Sequence, residues 1–296
     1  MRIGALEAGG TKMVCAVGNE QGEILKREIF PTGTPEDTMP PMLTFFEQEM
    51  IEALGIGCFG PIDPDKESKT YGYITSTPKL AWQNYNIVGG FAEQLHCPIG
   101  FDTDVNAAAL GEAAFGITKG LKNSIYMTIG TGIGVGVYSE GRLLHGMMHP
   151  EAGHILIKRH PEDSFGGCCP FHGDCLEGLA GGPSLEKRWG KAGALLTEEP
   201  KVWEIEAYYI AQACVNYSMI LSPERIVLGG GVMKQPALLP LIRTKFTELM
   251  ADYVRTRELT SMEEYIVGAS LNDNQGVMGC IQLALLAMEN ESFKQA

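Results

Sequence analysis

Two stretches of the chain, about 120 positions apart, carry the same succession of apolar runs and turns. The first is Ile3 to Glu7, a tight Ala8-Gly9-Gly10-Thr11, Met13 to Val17, the polar Asn19-Glu20-Gln21-Gly22, and Ile24 to Phe30. The second is Ser124 to Ile129, Gly130-Thr131-Gly132, Ile133 to Tyr138, Ser139-Glu140-Gly141, and Leu143-Leu144. Each reads as a three-stranded meander opening on a glycine turn. When the two are overlaid, Gly10-Thr11 falls on Gly130-Thr131 and Val17 on Val137. A meander must cover a face with a second layer, so two of them in 296 residues predict a duplicated α/β domain.

Other elements fall around the meanders. Pro35 to Ala53 is expected to contain a helix after Pro41, Gly55 to Phe59 a strand, and Ile99 to Phe101 a strand ending at Asp102-Thr103-Asp104. The Ala-rich Val105 to Phe115 reads as helix. Val202 to Leu221 is a long amphipathic helix stopped by Pro223, Arg225 to Leu228 a strand entering Gly229-Gly230-Gly231, and Gln275 to Met288 a last helix. Two glycines flanking a short polar stretch at Gly116 to Gly120 mark the boundary, giving domains over 1–117 and 118–274. Without a low-complexity linker, the two are expected to stay in contact around a cleft.

Charge narrows the partners. The 23 basic and 36 acidic residues give a formal −13 with no Lys/Arg-rich block, which argues against a face that neutralises nucleic-acid phosphates. No apolar run reaches the ~18 residues of a membrane span, and Met1-Arg2-Ile3-Gly4 enters a strand without the order of a signal peptide. A soluble cytoplasmic protein is expected, with neither membrane nor nucleic acid as partner. Three of the eight cysteines, Cys168, Cys169 and Cys175, fall within eight residues of each other, which in a reducing compartment suggests metal ligation before disulfides.

Three glycine turns end strands: Gly9-Gly10, Gly130-Thr131-Gly132 and Gly229-Gly230-Gly231. Residues without Cβ let successive N–H groups converge on phosphate oxygens. At the first turn Glu7 could hold hydrated Mg²⁺, and Thr11 or Lys12 could reach phosphate. Asp104, at a strand-to-helix junction, is either a helix N-cap or a carboxylate aimed into a ligand cleft, where it could take a proton from an attacking sugar hydroxyl. Cys169-Pro170-Phe171-His172-Gly173-Asp174-Cys175 puts three soft or borderline ligands on one loop, and His154 upstream completes a tetrahedral zinc set. Cys168, His149 and His160 are rivals by spacing. A site closed by four protein ligands is structural, so zinc hydrolysis is not expected.

Together these motifs resemble the ROK family of sugar kinases, within the group sharing the actin and hexokinase (ribonuclease H-like) fold. The resemblance rests on Glu7-Ala8-Gly9-Gly10-Thr11-Lys12, Asp104-Val105-Asn106-Ala107-Ala108-Ala109-Leu110-Gly111-Glu112, Gly130-Thr131-Gly132-Ile133-Gly134 and Gly229-Gly230-Gly231, and covers nearly the whole chain. It implies two such domains around a cleft with a zinc loop over 154–177, the first domain completed by a C-terminal helix over 275–296. It further implies Mg²⁺-dependent transfer from ATP to a hexose, with Asp104 as general base. Sugar hydroxyls would be held by Thr103, Asp104, Glu151, His154 and Glu177, and ATP by the three turns together with Pro183. It also implies a homodimer. Family glucokinases usually carry Asn-Asp where this chain has Thr103-Asp104, and lack the Cys-Pro-x-His-Gly-Asp-Cys form. That form, with His149-Pro150-Glu151-Ala152-Gly153-His154, resembles the family's bacterial fructokinase branch and makes D-fructose the expected acceptor. Glu7 stands where the wider superfamily usually has Asp. Sugar-responsive repressors of the family carry an extra N-terminal DNA-binding segment ahead of the first turn, which the early position of Glu7 and the acidic charge disfavour here.

Overall fold

The computed structural model describes residues 1–295, with side chains through residue 291; Ala296, the last position of the expected terminal helix, lies outside the described residues. The chain forms two compact units, one of Met1–Gly120, Leu143–Pro150 and the chain from Ser270 onward, the other of Leu121–Arg142 and Glu151–Ala269.

The first unit begins with β1 (Ile3–Ala8), β2 (Lys12–Gly18), β3 (Ile24–Pro31), α1 (Pro35–Glu49) and β4 (Ala53–Cys58). A small hairpin of β5 (Tyr73–Ile74) and β6 (Tyr85–Asn86) follows, then α2 (Ile87–Leu95), β7 (Ile99–Thr103) and α3 (Asp104–Phe115). Its sheet is ordered β3-β2-β1-β4-β7, with β2 antiparallel to both neighbours and β4 parallel to both of its own. The second unit follows the same plan: β8 (Ser124–Ile129), β9 (Ile133–Ser139), β10 (Arg142–Leu143), β11 (Arg225–Gly229) and β12 (Ile266–Gly268), ordered β10-β9-β8-β11-β12. Between its strands lie α4 (Leu176–Ala180), α5 (Gly182–Trp189), α6 (Pro200–Leu221), α7 (Leu238–Met250) and α8 (Met262–Tyr265). The overlay read from sequence holds in register: Val17 pairs with Gly4 and Val137 with Ile125, each opposite the second residue of its first strand. No helix among the described residues is long and apolar enough to cross a membrane.

In the first unit, Leu6, Ala8, Met13, Cys15 and Val17 pack with Met42, Phe45 and Phe46 of α1, and with Trp82 and Phe91. The helix expected after Pro41 instead starts at Pro35 and runs through Pro40 and Pro41. Pro35 suits the first turn, but the two interior prolines forgo ladder bonds. Burial of Met39, Met42, Leu43, Phe45 and Phe46 on one side keeps the segment helical. In the second unit Ile125, Met127, Ile129, Val135 and Val137 meet Ile205, Tyr209 and Ile210 of α6.

The last helix, α9 (Gln275–Gln295), returns to the first unit and packs on α3, β1 and β4. It does so at backbone distance. A Cβ on Gly279 would lie 1.6 Å from the Ala107 carbonyl oxygen, and one on Gly55 would lie 1.7 Å from that of Cys280. Gly279→Ala is therefore expected to cost about 3 kcal/mol or more, since backbone gives way less easily than a side chain. Gly231→Ala, where φ is −64° and nothing lies within 4 Å, should stay within about 0.5 kcal/mol. Urea unfolding of the two variants checks the contrast, and equal losses would contradict it.

Candidate functional site

In the first unit the sheet's parallel strands end together. Glu7 is the last residue but one of β1, and Asp104 is the first residue of α3, directly after β7. Both carboxylates act on the same buried thiol, Cys280 of α9, which burial first and Glu7 second push well above the usual thiol range, with a smaller push from Asp104. Glu7 itself titrates above the ordinary carboxylate value through burial, opposed by the charges of Lys12 and Arg27. Its carboxyl fits against the start of α9 because residue 276 is glycine: a Cβ there would come within 2.7 Å of Glu7 Cδ. A carboxylate at a helix N-terminus also meets the positive end of the helix dipole. The adjoining turn is closed by the Gly9 N–H donating to the Lys12 carbonyl at 3.0 Å and by Thr32 Oγ1 donating to the Gly9 carbonyl at 2.8 Å. Thr11 and Lys12 are left exposed.

The N-cap reading of Asp104 does not hold. Thr103 is the cap, its Oγ1 accepting the Asn106 N–H at 3.1 Å, while Asp104 Oδ1 accepts the N–H of Val105 at 2.9 Å. Thr103, read as an acceptor contact, is only 3% exposed and uses an oxygen lone pair for capping. Behind it lies Asp102, whose Oδ1 accepts from the Thr103 N–H at 2.8 Å and from Asn106 Nδ2 at 2.7 Å.

In the second unit the Gly130-Thr131-Gly132 turn joins β8 to β9. Glu177 of α4 reaches it: Oε2 accepts the Ile133 N–H at 2.9 Å, and a Cβ on Gly132 would sit 2.6 Å from that oxygen. The Gly130 carbonyl accepts the Gly182 N–H at 2.7 Å, which seats the start of α5, with Pro183, on the turn. Gly230 has φ +92° and would drive a Cβ to 2.4 Å from the Ile129 carbonyl oxygen, so glycine is required there on both counts. Gly130, Thr131, Pro183 and Gly231 line one cavity of about 740 Å³, walled also by Leu185 and Trp203. Its size lies within the range of small-molecule sites. Gly229 sits behind that wall, where a Cβ would meet the Tyr126 hydroxyl oxygen at 2.3 Å.

The metal-type loop closes on four side chains. The ligand atoms of His154, Cys169, His172 and Cys175 all lie within 4.8 Å of one another. His154 Nδ1 is 3.5 Å from Cys175 Sγ and 3.8 Å from Cys169 Sγ, and Cys169 Sγ is 3.8 Å from His172 Nδ1. A tetrahedron with zinc–sulfur and zinc–nitrogen bonds of ~2.3 and ~2.05 Å has N···S edges of about 3.6 Å, so this donor set fits zinc. Paired backbone bonds between Cys169 and Gly173, and the Leu176 N–H on the Ile155 carbonyl, bring the loop to His154. The rivals lie elsewhere: His149 Nε2 accepts the Ile62 N–H, His160 Nδ1 accepts the Glu162 N–H, and Cys168 Sγ is 3.2 Å from Ser184 Oγ. With Nδ1 facing the sulfurs, His154 turns Nε2 toward Glu177, 4.0 Å from Oε1. Glu151 lies three residues before His154, its carboxyl raised above the ordinary value by burial and then by the Glu177 charge. Glu151, His154 and Glu177 thus form one polar group in the second unit.

Sequence reading missed Asp102, Gly276 and the apolar cavity walls. No motif marks them: the side-chain bonds of Asp102 run partly to near neighbours and partly to His145, 43 positions on, and Gly276 is explained only by Glu7.

Residues 3–287 match the ROK family, and the chain belongs to it. It is 47% identical to a fructokinase of Lactococcus lactis subsp. cremoris over 92% of each chain, and 46% identical to a fructokinase of Pediococcus pentosaceus over 98% of this chain and all of the relative. Glucokinases match at 25 to 31% identity. Among solved structures, a ROK hexokinase from Thermus thermophilus superposes with a TM-score of 0.80 at 25% identity, covering 98% of this chain and all of that one. The chain has the ROK sugar-kinase fold.

The cap assignment has a measurable consequence. Thr103→Ala should destabilise the protein by about 1 kcal/mol. Asp104→Asn should move stability by less than that, since the amide oxygen can still accept the Val105 N–H and the helix-dipole contribution of the charge is ~0.3–1 kcal/mol. Chemical denaturation of both variants checks the order; a larger loss at Asp104 would return the cap to that residue.

Proposed function

We propose that this protein is an ATP-dependent fructokinase that transfers the γ-phosphate to the 6-hydroxyl of D-fructose. The observation that carries the acceptor is the likeness to fructokinases along almost the entire chain, at identities well above those to glucokinases.

Asp104 is the general base. The cap belongs to Thr103, so the carboxylate is not needed to hold the helix, and its place at a strand's carboxyl end is where ligands of α/β sheets bind. It takes the proton of the 6-hydroxyl as that oxygen bonds to the γ-phosphorus and the bond to ADP breaks. Thr103, Glu151, His154 and Glu177 orient the sugar hydroxyls. The cavity of the second unit takes the nucleotide, base against Leu185 and Trp203 and phosphates against Gly130, Thr131, Pro183 and Gly231, with Gly132, Gly229 and Gly230 shaping the turns that carry them. Gly9, Gly10, Thr11 and Lys12 supply the other phosphate contacts. Glu7, an oxygen donor that burial would otherwise favour in its neutral form, holds hydrated Mg²⁺, which neutralises charge on the phosphates when bound. Zinc on His154, Cys169, His172 and Cys175 supplies folding energy and fixes the His154 ring, leaving Nε2 for the sugar.

Two experiments test this reading. Steady-state kinetics over fructose, mannose, glucose and amino sugars should give fructose a kcat/KM at least about tenfold above glucose, and Asp104→Asn should lower kcat by about 10² to 10⁴ without loss of fold. Equal kcat/KM for fructose and glucose would remove the acceptor, and near-normal turnover in the variant would remove the base. For the metal, protein purified without chelator should hold one zinc per chain by elemental analysis. Cys175→Ser should lower both zinc content and Tm, and a metal-free protein of unchanged Tm would refute the zinc role.

A further inference from the structure

The segment Leu143–Pro150 interrupts the second unit's stretch of chain, yet it packs within the first. Two histidines hold it there. His145 Nε2 meets Asp102 Oδ2 at 2.8 Å, and His149, 3% exposed, accepts the Ile62 N–H on Nε2 at 3.1 Å. Between them Met147 is fully exposed, so the segment's placement rests on these polar ties rather than on burial at its tip. The Asp102 side chain is only 4% exposed and its Oδ1 is already taken by the Thr103 N–H and Asn106 Nδ2, which makes Oδ2 the remaining acceptor and His145 its donor. The carboxylate that buttresses the start of α3 thus also receives a side chain from the segment running into Glu151.

We propose that His145, through Asp102, is a positioning residue of the acceptor site: it ties Leu143–Pro150 to the strand end that carries Thr103 and Asp104, and so holds the first unit's contacts to the hexose in place. The proposal rests on the reading of Asp104 as base and of Thr103 as a hexose contact. His145 does not itself touch the sugar in this scheme; it removes slack at Thr103 and Asp104, where errors of about an ångström cost rate.

The pair is also titratable. The hydrogen bond to Asp102 raises His145 above the ordinary histidine value, and burial opposes it. The groups facing it are Asp102 on β7 and His149 of its own segment, which burial keeps low and therefore neutral; Tyr71 faces Asp102 and titrates above the ordinary tyrosine value. A raised histidine pKa means that the charged pair is fully present below about 6.5 and is lost as pH rises through the raised value. Slackening of the segment should therefore appear on the alkaline side of ordinary histidine titration.

The test is steady-state kinetics with fructose and ATP from pH 6 to 10 on the unaltered protein, His145→Ala, His145→Gln and Asp104→Asn, with Tm measured alongside. His145→Ala should raise the KM for fructose about tenfold or more at pH 7 while the KM for ATP stays within twofold. His145→Gln, whose amide can still donate to Asp102, should recover most of that loss and abolish the alkaline rise in fructose KM seen in the unaltered protein. A lower Tm with fructose KM and its pH profile unchanged, or parallel rises in both KM values, would overturn the positioning role while leaving the kinase reading intact. Retained turnover in Asp104→Asn, or no hexose turnover in the unaltered protein, would overturn the reading itself and this proposal with it.

Discussion

One buried carboxylate ties together the chain's departure from the first unit and its return. Glu112, 1% exposed near the end of α3, accepts the Ile117 N–H at 3.0 Å and the Ser270 hydroxyl at 2.6 Å on Oε2, and the Ser270 N–H at 2.8 Å on Oε1. Ile117 lies just before the chain first leaves for the second unit and Ser270 is where it comes back for the last time. A buried charge is tolerated when its oxygens are filled with donors, and leaving those donors without it costs ~1–3 kcal/mol for each unmet group. The arrangement is therefore all or none: both segments dock or the carboxylate is stranded. Because α3 starts at Asp104 and ends in this knot, the helix that carries the proposed base is anchored at both ends by side-chain to backbone bonds, Thr103 at the start and Glu112 at the finish.

What could be read from the sequence was what lies close in the chain or repeats along it. The meanders, the glycine turns and Cys169-x₂-His172-x₂-Cys175 are local, and a local pattern leaves a local trace. Even His154, fifteen residues upstream of Cys169, was within reach because tetrahedral zinc demands a fourth ligand. The choice among His149, His154 and His160 was not, since spacing says nothing about which imidazole turns inward. Only the Ile62 N–H on His149 and the Glu162 N–H on His160 decide it. The helix start at Pro35 was missed for a related reason: propensity counts two interior prolines against a helix, and the buried methionines and phenylalanines that outweigh them act through partners on β2 and β3.

Glycine shows the same division. At Gly230 a positive φ can be suspected from the run of three, but Gly276 sits inside a helical pattern where glycine only lowers propensity. Its reason, room for a carboxylate 269 positions earlier, exists only in the folded chain. A glycine in a helix is then better read as a question about what approaches it than as a weakness of the helix.

Duplication explains the scaffold and leaves the chemistry to the places where the copies differ. In each unit the second antiparallel strand, the first strand and the two parallel strands occupy the same places, yet β7 runs straight into α3 whereas the chain after β12 passes Ser270 before α9 begins. By order in the chain α9 is the second copy's counterpart of α3, but it packs in the first unit beside α3 itself. That exchange puts the start of α9 against Glu7 and its Cys280 beside Asp104, and it needs backbone-close crossings at Gly55 and Gly279 that no side chain would permit. Meanwhile the second unit's turn, one residue shorter between its paired strands, is occupied by Glu177 rather than left open like Thr11 and Lys12. The carboxylates Glu7 and Asp104 thus belong to one copy, and the zinc-type loop and the cavity walled by Leu185 and Trp203 to the other.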